Sequence, residues 1–154
     1  MKASIDGDNS KVSALLASGS DINARNSYKW TALMHAARNG KLATVKLLIE
    51  NGADINAKDS TGWTALIRAA QKGHPKVVKL LLEKGANINA TTDDGWTALM
   101  WATLRNNIET AKVIIDHHPD INYKAKDGHS AMMIAVSENN NEIMQLLQKA
   151  GAKL

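Results

Sequence analysis

The sequence predicts an all-α solenoid of stacked helix-turn-helix units joined by short hairpin-like loops. Three observations carry this. First, Trp30-Thr31-Ala32-Leu33 returns as Trp63-Thr64-Ala65-Leu66 and as Trp96-Thr97-Ala98-Leu99, with a degraded copy at His129-Ser130-Ala131-Met132, each 33 residues after the one before. A fixed period of about 20–50 residues marks stacked supersecondary units rather than one globular core. Second, each period holds a short Ala-rich segment followed by a longer one rich in Leu and Val, both with apolar residues at helical spacing. Third, 44% of the 154 residues are hydrophobic, yet Phe is absent and aromatics are only 4%. The core must therefore come from Ala, Leu, Ile, Val and Met, which suits closely packed helices.

Residues 59–91 show how each element arises. Asp59-Ser60-Thr61-Gly62 is turn chemistry, with Gly able to take positive φ. Thr64 stands where a helix N-cap belongs, its hydroxyl free to accept an orphan backbone N–H. Ala65, Leu66, Ala69 and Ala70 then follow at helical spacing, and Gly73 ends this first helix in a left-handed position. Pro75 opens the second helix, where its missing N–H costs nothing. Val77, Val78, Leu80, Leu81 and Leu82 make that helix mostly apolar, Gly85 stops it, and Asn87-Ile88-Asn89-Ala90 leads to the next turn. Neither helix can bury its apolar face alone; stacked copies make one continuous core.

These residues resemble the ankyrin-repeat family. The family phrase of Gly, Thr-Pro-Leu-His, Ala-Ala, Gly, an apolar helix and Gly-Ala-Asp-hydrophobic-Asn is matched by Gly62-Trp63-Thr64-Ala65-Leu66-Ile67, Ala69-Ala70, Gly73, Leu80-Leu81-Leu82 and Gly85-Ala86-Asn87-Ile88-Asn89. The resemblance covers nearly the whole chain. It also has departures. Ala32, Ala65, Ala98 and Ala131 replace the motif proline, and Met34, Ile67, Met100 and Met133 replace its histidine, so apolar packing must stand in for the family's histidine hydrogen bonds. Lys29 replaces a turn Gly, and Asn106 and Asn139 replace the inter-helix Gly, which Asn tolerates. His118-Pro119 replaces the Gly after the third full unit's second helix, and strain or an altered turn is expected there.

The register divides one domain, residues 1–154, into a partial N-terminal repeat (1–25), full repeats at 26–58, 59–91 and 92–124, and a C-terminal capping repeat (125–154). Gln148 is polar where Ile49, Leu82 and Ile115 are apolar, as a solvent-facing cap requires, and the C-terminus reads as the natural end. The opening inside a repeat implies further residues upstream, with room for a leader. The compartment is therefore open: soluble in the cytoplasm, or exported.

Chemistry is sparse. With no Cys, disulfides, thiolate zinc sites and cysteine catalysis are excluded. No nucleophile elbow, phosphate loop or metalloprotease motif is present, so no enzyme, catalytic residue, metal site or cofactor is expected. No apolar run approaches the roughly 20 residues of a membrane span. The net charge of +4 is mild and shows no basic stripe, so nucleic acid is a poor candidate. Adjacent His117 and His118 point in different directions, unlike zinc ligands. Asn89-Ala90-Thr91 fits a glycosylation sequon, but the same Asn belongs to the repeat's loop signature.

The expected function is binding of a protein or peptide partner by a monomeric scaffold. The resemblance places recognition in a concave groove of turn tips and exposed first-helix faces. Mapped onto this chain, its partner-binding residues are Tyr28, Trp30, His35, Arg38, Trp63, Arg68, Lys72, Trp96, Trp101, Arg105 and His129. Trp and Arg dominate interface hot spots. Two readings of the Trp row stand side by side: a binding surface, or a structural row stacked across neighbouring hairpins with Arg on its rings. The alternatives to protein binding are an aromatic and basic groove for a small ligand or single-stranded nucleic acid, and a regulatory part of a longer protein.

Overall fold

The computed structural model describes all 154 residues. Ten helices follow one another: α1 (Lys2–Asp6), α2 (Asn9–Ala17), α3 (Ala32–Arg38), α4 (Leu42–Glu50), α5 (Ala65–Lys72), α6 (Pro75–Glu83), α7 (Ala98–Leu104), α8 (Ile108–Asp116), α9 (Ala131–Ser137) and α10 (Asn141–Lys149). There is no strand, only isolated bridges at Thr91–Thr97 and Lys124–Ser130 in the hairpin-like loops. First helices stack in one layer, α1 on α3, then α5, α7 and α9. Second helices stack in the other, α2 on α4, then α6, α8 and α10.

The two layers differ in what they bury. Both layers bury large aliphatic side chains, but the first-helix layer adds Ala36, Ala37, Ala69, Ala70, Ala102 and Ala135, whereas the second, with Val45, Leu48, Val78, Leu81, Ile114, Ile143 and Leu147, buries only Ala111 of that kind. Axial separation follows side-chain size, within about 8–10 Å. Small side chains let the first helices approach one another more closely than the second helices can, which favours a stack curved toward the first-helix side. Met34, Ile67 and Met100 are fully buried in the place of the motif histidine, and Met133 in the last repeat is half-buried. Apolar packing does substitute there.

Capping and turn chemistry repeat with the period. Thr31, Thr64 and Thr97 Oγ1 each accept the backbone N–H of Met34, Ile67 and Met100 at 3.3 Å, and Ser130 Oγ that of Met133 at 3.2 Å. Such caps contribute about 1 kcal/mol each. Left-handed turns fall at Lys29, Asn106 and Asn139 (φ 60°, 52° and 55°) as well as at glycines. His118 also keeps the left-handed turn, with φ 56°. Its N–H still reaches Ile115 O at 3.0 Å. The next bond of this turn, Ala53 N–H to Leu48 O and Ala86 N–H to Leu81 O, has no counterpart at Pro119, which lacks the donor. The expected alteration is thus the loss of one capping bond.

Two side-chain ladders join the units. Asn23, Asn56, Asn89 and Asn122 Oδ1 accept the N–H of Asp54, Asn87, Asp120 and Lys153 at 2.8, 2.8, 2.9 and 2.8 Å. Asn89 is therefore a structural rung, whatever its sequon. On the other side, His74 Nε2 meets Arg38 O at 3.0 Å, Asn107 Nδ2 donates to Ala70 O at 3.0 Å, and Asn140 Nδ2 donates to Thr103 O at 2.6 Å.

Two glycines separate backbone conformation from close approach. Gly85 (φ 93°) has open space where a Cβ would be, whereas a Cβ on Gly62 (φ 80°) would lie 2.7 Å from Asp93 N. Gly85→Ala should cost about 1–2 kcal/mol, the left-handed penalty alone. Gly62→Ala should cost clearly more, because the next hairpin's backbone must move. Urea midpoints of the two variants check the order; equal losses would contradict it.

Candidate functional site

The turn tips set the positions of the Trp row. Asp59 Oδ1 accepts the N–H of Thr61 at 2.8 Å and of Trp63 at 3.1 Å, closing an Asx turn. Asn26 Oδ1 does the same for Tyr28 and Trp30, at 3.0 and 2.9 Å. Thr92 Oγ1 accepts from Trp96 at 3.1 Å, and Asp127 Oδ1 from His129 at 3.0 Å. Neighbouring hairpins are then tied by Ser60 N–H to Tyr28 O and Asp93 N–H to Thr61 O, both 3.0 Å.

Each first helix offers one side chain to this row: His35, Arg68, Trp101 and Ile134 occupy equivalent positions. They interleave with the turn-tip residues. The Arg68 guanidinium carbon lies 4.2 Å from the Trp30 ring centre and 4.1 Å from that of Trp63. Trp101 lies between Trp63 and Trp96, with ring centres 4.7 and 5.1 Å away. His35 stacks on Trp30 at 4.8 Å, and Arg38 approaches the same ring at 5.9 Å. At the far end Trp96 Nε1 donates to Asp127 Oδ2 at 3.1 Å, and His129 Nδ1 is 3.2 Å from the same oxygen. The result is one stack running His35, Trp30, Arg68, Trp63, Trp101, Trp96, His129. Aromatic pairs of this kind contribute about 0.5–1.5 kcal/mol, and a desolvated cation on an indole about 2 kcal/mol.

Arg68 is held from below as well. Its Nη2 donates to Asp59 Oδ2 at 2.5 Å, with side-chain exposure of 14% for Arg68 and 1% for Asp59. Burial alone raises the Asp59 carboxyl pKa, but hydrogen bonds from Arg68, Thr61 and Trp63 outweigh it and hold the group below its usual value. Burial lowers the Arg68 pKa, opposed by Asp59, and a guanidinium stays charged regardless. Burial, helped by the chain's N-terminal charge, Arg38 and Arg68, lowers the His35 pKa and favours the neutral ring. Asp127 is held low by the His129 backbone N–H, with the Trp96 and His129 side chains assisting. Arg68 Nε and Trp101 Nε1 are buried without a partner.

The structure thus brings together Trp30, His35, Arg68, Trp63, Trp101, Trp96 and His129, and engages them with one another. Tyr28 (67% exposed), Arg38, Lys72 and Arg105 are exposed and take no part in the stack's interior. None of these three cations is in an ion pair; the pairs are Lys46–Glu50, Asp59–Arg68, Lys79–Glu83 and Asp127–His129. Sequence reasoning passed over Asp59, seen as turn chemistry alone. The available signal was the column Asn26, Asp59, Thr92, three side-chain acceptors at one turn position. No surface cavity is lined by the Trp row, and no group of three His, Asp or Glu is placed to hold a metal.

The family model "Ankyrin repeats (3 copies)" matches residues 1–92 and 86–154. The chain belongs to the ankyrin-repeat family. No curated protein matches the chain. Repeats of this family are in general protein–protein interaction modules. No helix is long and apolar enough to cross a membrane.

Asp59→Ala should cost about 3 kcal/mol or more, because it strands a largely buried guanidinium; chemical denaturation measures it. Two pH limbs follow from the shifted groups. The folded-state pKa of Asp59 lies below the ordinary value of 3.8, so its stabilisation is present above that value and drains as pH falls through the folded value. The folded-state pKa of His35 lies below 6.5, so stability declines as pH falls under 6.5. His35→Gln should remove that upper limb and leave the acid limb in place, read from denaturation midpoints across pH.

Proposed function

We propose that this chain is a non-enzymatic binding scaffold that recognises a protein or peptide partner along its first-helix groove. Arg38, Lys72 and Arg105 form the recognition row, with Tyr28 and the rims of Trp30, Trp63 and Trp96 beside it. Trp101, Arg68 and His35 hold the row in shape from within, and His129 ends it. The supporting observation is the coincidence of three exposed, unpaired cations with a prestacked aromatic row on one face. Arg and Trp are the usual carriers of interface energy, and side chains already fixed by stacking lose little further entropy on binding.

The same geometry argues against single-stranded nucleic acid. Base stacking needs free ring faces, and the faces here are occupied by Arg68, Trp101, His35 and one another. Asp93, Asp94 and Asp127 along the turn tips would also meet phosphates.

Exposed Lys46, Lys79 and Lys112 on the second helices provide a control of equal charge change, Lys46 and Lys79 each losing one exposed helix pair of small energy. Reversing Arg38, Lys72 and Arg105 to Glu should reduce partner capture from source-cell extract by about tenfold or more. Reversing Lys46, Lys79 and Lys112 should leave it near the wild-type level. Equal capture by both triple variants would remove the groove as the binding face.

A further inference from the structure

The repeat pattern breaks at four neighbouring positions where α8 meets α10. The column Glu50, Glu83 continues as Asp116 and Lys149, and the column Gly52, Gly85 holds His118 before glycine returns at Gly151. Ala53 and Ala86 likewise give way to Pro119. Each departure forfeits something. Glu50 and Glu83 pair with Lys46 and Lys79 one turn back, at 3.9 Å. Asp116, one carbon shorter, is in no ion pair, and neither is Lys149. His118 takes φ 56°, a conformation that penalises any residue with a Cβ. Pro119 gives up the capping bond made by Ala53 and Ala86. Disfavoured backbone of this kind clusters at functional sites, and so do departures from a chain's own local rules.

Asp116, His118, Pro119 and Lys149 all line one cavity of about 470 Å³. Ile115, Ile121 and Leu146 supply its apolar surface. No cavity is lined by Gly52 or Gly85, the places equivalent to His118. An apolar lining with a few polar groups, at a volume of about 300–1,000 Å³, suits a small molecule. Charge narrows the choice. One wall, the end of α8, carries an acid; the facing wall, the end of α10, carries a base; and the two are not paired. A purely anionic ligand meets Asp116, and a purely cationic one meets Lys149. A zwitterion satisfies both. The last carbonyls of α8 add to Asp116 in favouring the ligand's cationic end. Adjacent helices stand about 8–10 Å apart, a span that a small zwitterion and the Lys149 arm fill together.

We infer that the cavity between α8 and α10 binds a free α-amino acid with an apolar side chain. Asp116 meets its ammonium group, Lys149 and His118 meet its carboxylate, and Ile115, Ile121 and Leu146 receive its side chain. The site is built from second helices and is independent of the proposed first-helix groove. Each exposed charge contributes modestly, about two- to fivefold, so binding is weak and falls with added salt.

The test is a backbone amide chemical-shift titration of the full chain at low salt with L-leucine, to about 10 mM. Beside it run N-acetyl-leucine, which lacks the cationic group, and leucinamide, which lacks the anionic one. L-leucine should shift the amides of Asp116, His118 and Lys149 and bind at least about threefold tighter than either analogue. Asp116→Asn should erase the preference over N-acetyl-leucine, and Lys149→Gln the preference over leucinamide. His118→Gly should weaken leucine binding while raising the urea midpoint, because Gly accepts the left-handed turn; a purely structural His118 predicts no loss of binding. All three variants replace exposed side chains that are in no ion pair, so the fold is kept, which their spectra verify. Absence of shifts around the cavity, equal binding of the three compounds, or shifts of the same size beside Gly52 and Gly85 would each overturn the inference.

Discussion

No helix pair in this chain has enough apolar surface on one side to bury itself, so every pair depends on the next. The buried residues form one continuous cluster that begins at Ala3 in α1 and ends at Leu147 in α10. Repetition is what makes that cluster possible: equivalent side chains meet equivalent neighbours, and one solution to the packing problem serves at each interface. The Asn ladder, the Thr and Ser caps and the left-handed turns all recur because the interface they support recurs.

The same lateral alignment produces the aromatic stack. A position repeated every 33 residues becomes a row, and two adjacent rows interleave. Once Asx turns fix the indoles, the gap between Trp30 and Trp63 accepts a planar group from α5, and the next gap accepts one from α7. Arg68 and Trp101 fill them. They are not equivalent in chemistry. A guanidinium between two rings needs a counter-charge, which Asp59 supplies from beneath; an indole needs none. The first gap is therefore sensitive to acid and the second is not.

Much of this was legible in the sequence, for a physical reason. Helix caps, glycine turns and Pro75 are decided by local backbone chemistry, and the 33-residue register carries that chemistry across units. Even His118 could be read as a departure, since Pro119 has no N–H to give. The set Trp30, Trp63, Trp96, Trp101 and Arg68 was visible as one face. What was not legible is which side chains on that face would turn to one another. The distance between a turn tip and the next first helix is a property of the stack, so the pairing of Arg68 with Asp59, nine residues away, emerges only when both rows are placed. Arg38, Lys72 and Arg105 were of the same type and face as Arg68, yet only Arg68 finds a gap lined by two indoles and an acid.

The side-chain bonds between units span 29 to 37 residues, never two repeats. Nothing in the groove thus depends on how many units there are. Duplicating or deleting one whole unit leaves every neighbour's partners of the same kind in place, whereas removing a few residues breaks the bonds of the unit they come from with its neighbours. Lineages can therefore lengthen or shorten this surface only in whole divisions, like a ruler cut at its marks. The spacing between divisions is inherited unchanged, while the side chain at each mark is free to vary.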